Sequence, residues 1–140
     1  MESKLDRIRR AIDAVPAEDK VVLVGESAGA TLALHAANRF ERVSCVITLC
    51  GVSSARTPIA PALRHRAPAL YQAVRSLPNE HKTELHSVRA LVDQVVDKEY
   101  SVAPGATSHV WWTLGHVVTI TLGLTVLAPL LVGIAKKSKT

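Results

Sequence analysis

Three residues of this 140-residue chain stand in settings suited to nucleophilic catalysis: Ser27, Asp93 and His116. The run Gly25-Glu26-Ser27-Ala28-Gly29 matches G-x-S-x-G, a pattern in which the serine occupies a sharp turn between a strand and a helix. Small flanking residues suit such a turn, because side chains there are expected to collide with the neighbouring strand or helix. A serine so placed lies at a helix N-terminus, where unpaired N–H groups and the helix dipole favour developing negative charge, so the Ala28 N–H becomes an oxyanion donor. A hydroxyl is a poor nucleophile near neutral pH and needs a base, with an acid to orient that base. His116 and Asp93 supply them, and Asp97 stands four residues further on as a reserve acid. Plainer roles remain open for each: a helix-capping serine, a turn carboxylate at Asp93, a solvated charge at Asp97 beside Lys98 and Glu99, and a loop histidine after Gly115.

These residues need strands that end where they begin. Val21-Val22-Leu23-Val24 is a β-branched run closed by Gly25, without alternation, and reads as a strand covered on both faces. Ala28 to Phe40 has helix composition, and Val43 to Cys50 is a second strand stopped by Gly51, completing a strand–helix–strand unit. Parallel strands joined by a helix bind ligands beyond their carboxyl ends, so chemistry is expected after Val24 and Cys50 and after the strands that follow. Leu85–Val92 ends at Asp93, and Ser108–Leu114 ends at Gly115-His116. Leu5, Ile8, Ile12 and Val15 mark a helix stopped by Pro16. Residues 52–68 read as an excursion, Ala69–Leu77 as a helix ended by Pro78, and Val117–Ala135 as a final apolar helix.

Composition excludes several alternatives. With 48% hydrophobic and 21% charged residues the chain can bury a core, and its length suits a single domain. Aromatics at 4% are too few for a base-stacking platform, so the net charge of +5 does not point to nucleic acid. Cys45 and Cys50, an odd offset apart on one strand, point to opposite faces and do not bridge. The polar start Met1-Glu-Ser-Lys-Leu-Asp6 fits a reducing cytoplasm better than secretion. His35, His65, His81, His86 and His109 lie on a helix, among charges or near strand starts, away from the catalytic edge. Neighbouring Cys and His residues lack zinc-site spacing, and no phosphate loop is present, so no metal, nucleotide or other cofactor is expected.

Val21-Val-Leu-Val-Gly-Glu-Ser-Ala-Gly-Ala30, Asp93-Gln-Val-Val96 and Thr113-Leu-Gly-His116 together resemble the nucleophile elbow, acid loop and histidine loop of the α/β-hydrolase superfamily. The order Ser, Asp, His is that superfamily's order, and the resemblance runs from about residue 5 to residue 135. It implies an α/β fold in three layers, with a mostly parallel sheet of about four strands between helices. It also implies a serine hydrolase acting on a small ester or other acyl substrate. Ser27 is then the nucleophile, His116 the base and later the acid, and Asp93 the group that fixes the imidazole.

In that superfamily the elbow follows the fifth of eight strands. The resemblance therefore implies strands five to eight here, without the first half of the sheet or the loop after strand three that gives the second oxyanion N–H. Residues 21–24 then form an open sheet edge, which a second copy, a partner chain or the N-terminal helix is expected to cover. From Val110 to Ala135 there is no Asp, Glu, Lys or Arg, and Lys136, Lys137 and Lys139 follow. A helix over 117–135 would be about 28 Å long, near the hydrocarbon thickness of a bilayer, which makes membrane contact an alternative to a buried helix. The competing function is accordingly a non-catalytic half-domain or membrane-associated remnant acting as an interaction module. Arg56, Arg64 and Arg66 would favour an acidic substrate if they faced the site, and otherwise are simply solvated.

Overall fold

The computed structural model describes residues 1–54 and 61–138. In chain order these form α1 (Glu2–Asp13), β1 (Val21–Glu26), α2 (Ala28–Arg39), β2 (Val43–Leu49), α3 (Pro61–Arg66) and α4 (Pro68–Arg75). They continue as β3 (Glu84–Val92), α5 (Lys98–Ser101), β4 (Thr107–Leu114), α6 (His116–Leu124) and α7 (Ala128–Lys137). The four strands pair in sequence order, β1-β2-β3-β4, and all pairs are parallel. In-register pairs such as Val24–Ile47 and Leu49–Val88 bring the strand ends to one edge of the sheet.

Helices lie on both faces and bury β2 almost throughout, but β1, expected to be covered on both faces, is only half-buried from Val21 to Leu23 because it lies at the sheet edge. On one face Leu34 and Ala37 of α2 and Ile12 of α1 pack with Val46 and Leu85. On the other, Cys45, Ile47, Leu49 and Val88 meet Leu131 of α7, with Trp111 and Ile120 packed against them. The turn from α1 to β1 is fastened by Arg42, whose guanidinium donates to the carbonyls of Ile12, Val15, Pro16 and Asp19. β1 ends the sheet, and Val24 beside its free edge is 47% exposed.

The C-terminal segment differs from the expected single helix over 117–135. It is two helices, α6 and α7, bent by 71° at a short break. Thr125 leaves helical geometry at φ −121° and ψ −96°, and the Leu127 N–H turns back to the Leu122 carbonyl at 2.8 Å. Pro129 opens α7, where its missing N–H costs nothing, but in a continuous helix the same proline would lack a bond and clash with the preceding turn. Among the described residues no single helix is long and apolar enough to cross a membrane, although the bent pair passes that test together. Its outer face is nonetheless apolar, with Val117, Leu124, Val126 and Leu130 all at least half exposed. Two short helices, α3 and α5, stand where no element was expected. Arg64 and Arg66 are exposed, whereas Arg56 and Lys139 lie outside the described residues.

Candidate active site

Each strand hands over to a reactive side chain at the carboxyl edge. Ser27 follows β1, Cys50 follows β2, Asp93 follows β3, and His116 stands one glycine beyond β4. Ser27 has φ 46° and ψ −121°, a backbone conformation that non-glycine residues rarely adopt, and its side chain makes no capping bond to α2. The capping role therefore does not describe it. Its N–H donates to the Leu49 carbonyl at 3.1 Å, while its own carbonyl accepts the N–H groups of Ala30 and Val52, both at 3.2 Å. The strained turn is fixed from both sides.

The two glycines of the turn are not equivalent. A Cβ on Gly25 would lie 2.8 Å from the Ala30 Cα and the Gly29 carbonyl oxygen, so β1 and α2 approach closely only because Gly25 has no side chain. Gly29 has nothing within 4 Å of a built Cβ, which corrects the expectation that every flanking position would collide. The further close approach is at Gly51, where a Cβ would stand 2.1 Å from the Ala30 Cβ.

The Ser27 Oγ lies 3.0 Å from His116 Nε2, and His116 Nδ1 lies 2.8 Å from Asp93 Oδ2. The other carboxylate oxygen, Asp93 Oδ1, accepts the N–H groups of Val95 at 2.8 Å and Val96 at 2.9 Å. Burial opposes ionisation of Asp93, but the Val96 N–H, His116 and the Val95 N–H outweigh it and hold the carboxyl below its ordinary value. An ionised Asp93 accepts a hydrogen bond from the Nδ1–H of His116, which leaves Nε2 free to accept one from the Ser27 hydroxyl. The His116 ring is held in place by its own backbone, whose N–H donates to Gln94 Oε1 at 3.3 Å. Gly115, at φ 101°, turns the chain from β4 into α6 and so presents the histidine. Asp97, the reserve acid, instead begins α5, where its carbonyl accepts the Tyr100 and Ser101 N–H groups.

Ala28 is the first residue of α2, so its N–H has no carbonyl one turn earlier and remains available beside Ser27. A cavity of about 540 Å³ opens next to Ala28 and Gly29, walled by Thr31 and Leu32 of α2, Leu70 and Ala73 of α4, and Met1. From the sequence Cys50 is a strand end after which chemistry is expected and a thiol that does not bridge Cys45; both cysteines are free and buried. In the fold Cys50 takes φ 48°, and its sulfur comes within 4.8 Å of ligand atoms of Asp93 and His116. Burial pushes the thiol up to about 11. The signal for Cys50 was present, since it ends its strand as Ser27 and Asp93 follow theirs.

No protein-family model and no curated protein matches the sequence. Solved structures do match. The meta-cleavage product hydrolase of Pseudomonas fluorescens IP01 superposes with a TM-score of 0.68 at 18% identity, covering 98% of this chain and 72% of that one. An α/β hydrolase from a sediment metagenome of the Mar Chica lagoon gives a TM-score of 0.68 at 15% identity, over 99% of this chain and 71% of that one. The chain has the α/β-hydrolase fold. A methylesterase from Arabidopsis shares it with a TM-score of 0.57 at 17% identity, over 91% of this chain and 75% of its own. The sequential, all-parallel order of β1 to β4 between helices agrees with the expected parallel sheet of about four strands.

Proposed function

We propose that this α/β-hydrolase-fold chain is a serine hydrolase that cleaves a small ester or other acyl substrate through an acyl-enzyme on Ser27. The observation that carries this reading is the unbroken relay from Ser27 Oγ to His116 at 3.0 Å and on to Asp93 at 2.8 Å, ending on a serine held at φ 46°. Ser27 Oγ attacks the acyl carbonyl as His116 Nε2 takes its proton, and the Asp93 carboxylate stabilises the imidazolium. The Ala28 N–H donates to the tetrahedral oxyanion. His116 then protonates the leaving alkoxide, and the same nitrogen activates a water that releases the acid and restores Ser27. The cavity beside Ala28, where Leu32, Leu70 and Ala73 stand among Lys4, Thr31, Gln72 and Ser76, is the place this reading gives to a short acyl chain.

The Ala28 N–H is the oxyanion donor this reading identifies, and loss of such a donor typically slows turnover about a hundred- to a thousandfold. Turnover of an activated ester is expected, with a burst of alcohol release matching one acyl group per Ser27. A burst of equal size in Ser27→Ala would dismiss the reading.

A second reading rests on the open β1 edge: an interaction module to which a second copy or a partner chain adds a strand. The apolar outer face of α6 and α7 would give the same module a contact with lipid. A monodisperse monomer that turns over ester and stays off vesicles would contradict it.

A further inference from the structure

The proposed mechanism leaves one buried nucleophilic group beside the relay unused, the thiol of Cys50. It is fully buried at the end of β2, and its sulfur, a carboxylate oxygen of Asp93 and a ring nitrogen of His116 all lie within 4.8 Å of one another. Sulfur, imidazole nitrogen and carboxylate oxygen form the donor set that zinc prefers, and three protein ligands with one open position is its usual reactive arrangement. Bonds of about 2.0–2.3 Å put the donors of a tetrahedral zinc roughly 3.3–3.8 Å apart. His116 Nδ1 and Asp93 Oδ2, now 2.8 Å apart, must therefore open by about half an ångström, and the sulfur must close by up to about an ångström. The three residues follow the adjacent parallel strands β2, β3 and β4, whose pairing sets the spacing of the three strand ends, although β4 is packed on one side only, through Trp111.

We infer that Cys50, Asp93 and His116 bind a zinc ion that switches the catalytic relay off. Binding itself requires only these three side chains; its consequence for activity rests on the serine-hydrolase reading. The metal forms bonds to Cys50 Sγ, an Asp93 oxygen and His116 Nδ1, and the thiol proton leaves to solvent. The imidazole proton moves from Nδ1 to Nε2, which then donates to Ser27 Oγ instead of accepting from it. Ser27 loses its base while the fold is retained.

The test titrates the full chain with Co²⁺, whose bond to a thiolate produces a charge-transfer band in the near ultraviolet, and then displaces it with Zn²⁺. The wild-type chain and Ser27→Ala are expected to show the band at one equivalent. In Cys50→Ser it disappears, and His116→Ala weakens binding by more than the roughly 10–100-fold that loss of an outer-shell partner costs. Cys45→Ser is expected to keep the band, because Cys45 packs in the core beneath α7. No band in the wild type, or an undiminished one in Cys50→Ser or His116→Ala, would overturn the site. Ester turnover should fall with Zn²⁺ and return with a chelator, and turnover unchanged in zinc-saturated protein would overturn the switch. If the band forms but no ester is cleaved without metal, the serine-hydrolase reading and the switch fail while the metal site stands.

Discussion

Replacing Gly25 and Gly29 by alanine, one at a time, separates two positions that the sequence pattern treats alike. At Gly25 the new methyl would meet backbone atoms of Gly29 and Ala30 at 2.8 Å, and no side-chain rotation relieves a clash with main chain. β1 and the first turn of α2 must part, at the roughly 1–3 kcal/mol typical of an overpacked core. At Gly29 the methyl enters open space, and the backbone there is not in the left-handed region. Gly29→Ala should therefore stabilise by up to about 0.5–1 kcal/mol through the lower entropy of the unfolded chain. For a domain of this size about 1 kcal/mol corresponds to roughly 4 °C, so Gly25→Ala should lower Tm by roughly 4–12 °C and Gly29→Ala should raise it by up to about 2–4 °C. Thermal unfolding read alongside ester turnover measures both effects. Gly25→Ala should also lose turnover steeply, because shifts of about 1 Å at a reacting centre cost up to a hundredfold and α2 carries the Ala28 N–H. Equal destabilisation by the two substitutions, or an indifferent Gly25→Ala, would refute this account of the turn.

Three further outcomes are expected. Asp93→Asn keeps the shape of the acid loop but removes the charge that orients His116, so ester turnover should drop about ten-thousandfold while far-ultraviolet circular dichroism stays unchanged. Stability should fall in acid in two stages, followed by urea unfolding across the pH range. Burial, with His86 beside it, holds His109 below 6.5, so its contribution is complete above 6.5 and is lost as pH falls through the lower folded value. Asp93, held below 3.8, contributes fully above 3.8 and fails in the same direction at lower pH. His81, held below 6.5 by burial and by His35, adds to the upper stage, so His109→Gln should shrink that stage and leave the lower one unchanged. Arg42→Ala removes a guanidinium shared by four carbonyls between α1 and β1, and should cost about 1–3 kcal/mol and speed proteolysis of that connection.

Much of the site was legible because its residues are tied to strand ends. An apolar run that stops at Gly25, or at Asp93, marks a strand's carboxyl edge without any knowledge of neighbours, and four such edges in one parallel sheet converge by topology. What depended on contacts between elements was not legible. The open space around Gly29 and the crowding at Gly25 differ only through the path of α2 against β1. The approach of Cys50 to Asp93 and His116 joins three strand ends, and spacing along the chain cannot report it. The break between α6 and α7 was signalled by Pro129, but the unbroken apolar composition of Val117–Ala135 outweighed one proline. The folded chain instead bends there, so that Leu131 reaches the sheet beside Cys45 and Val88.

The central claim is that Ser27 is a nucleophile activated by His116, and the most direct measurement is the intact mass of the folded chain after exposure to a fluorophosphonate probe. The account predicts a single adduct, mapped to Ser27, formed far more slowly in His116→Ala and not at all in Ser27→Ala. A folded wild-type chain that takes up no probe, or an adduct that persists in Ser27→Ala, would contradict it.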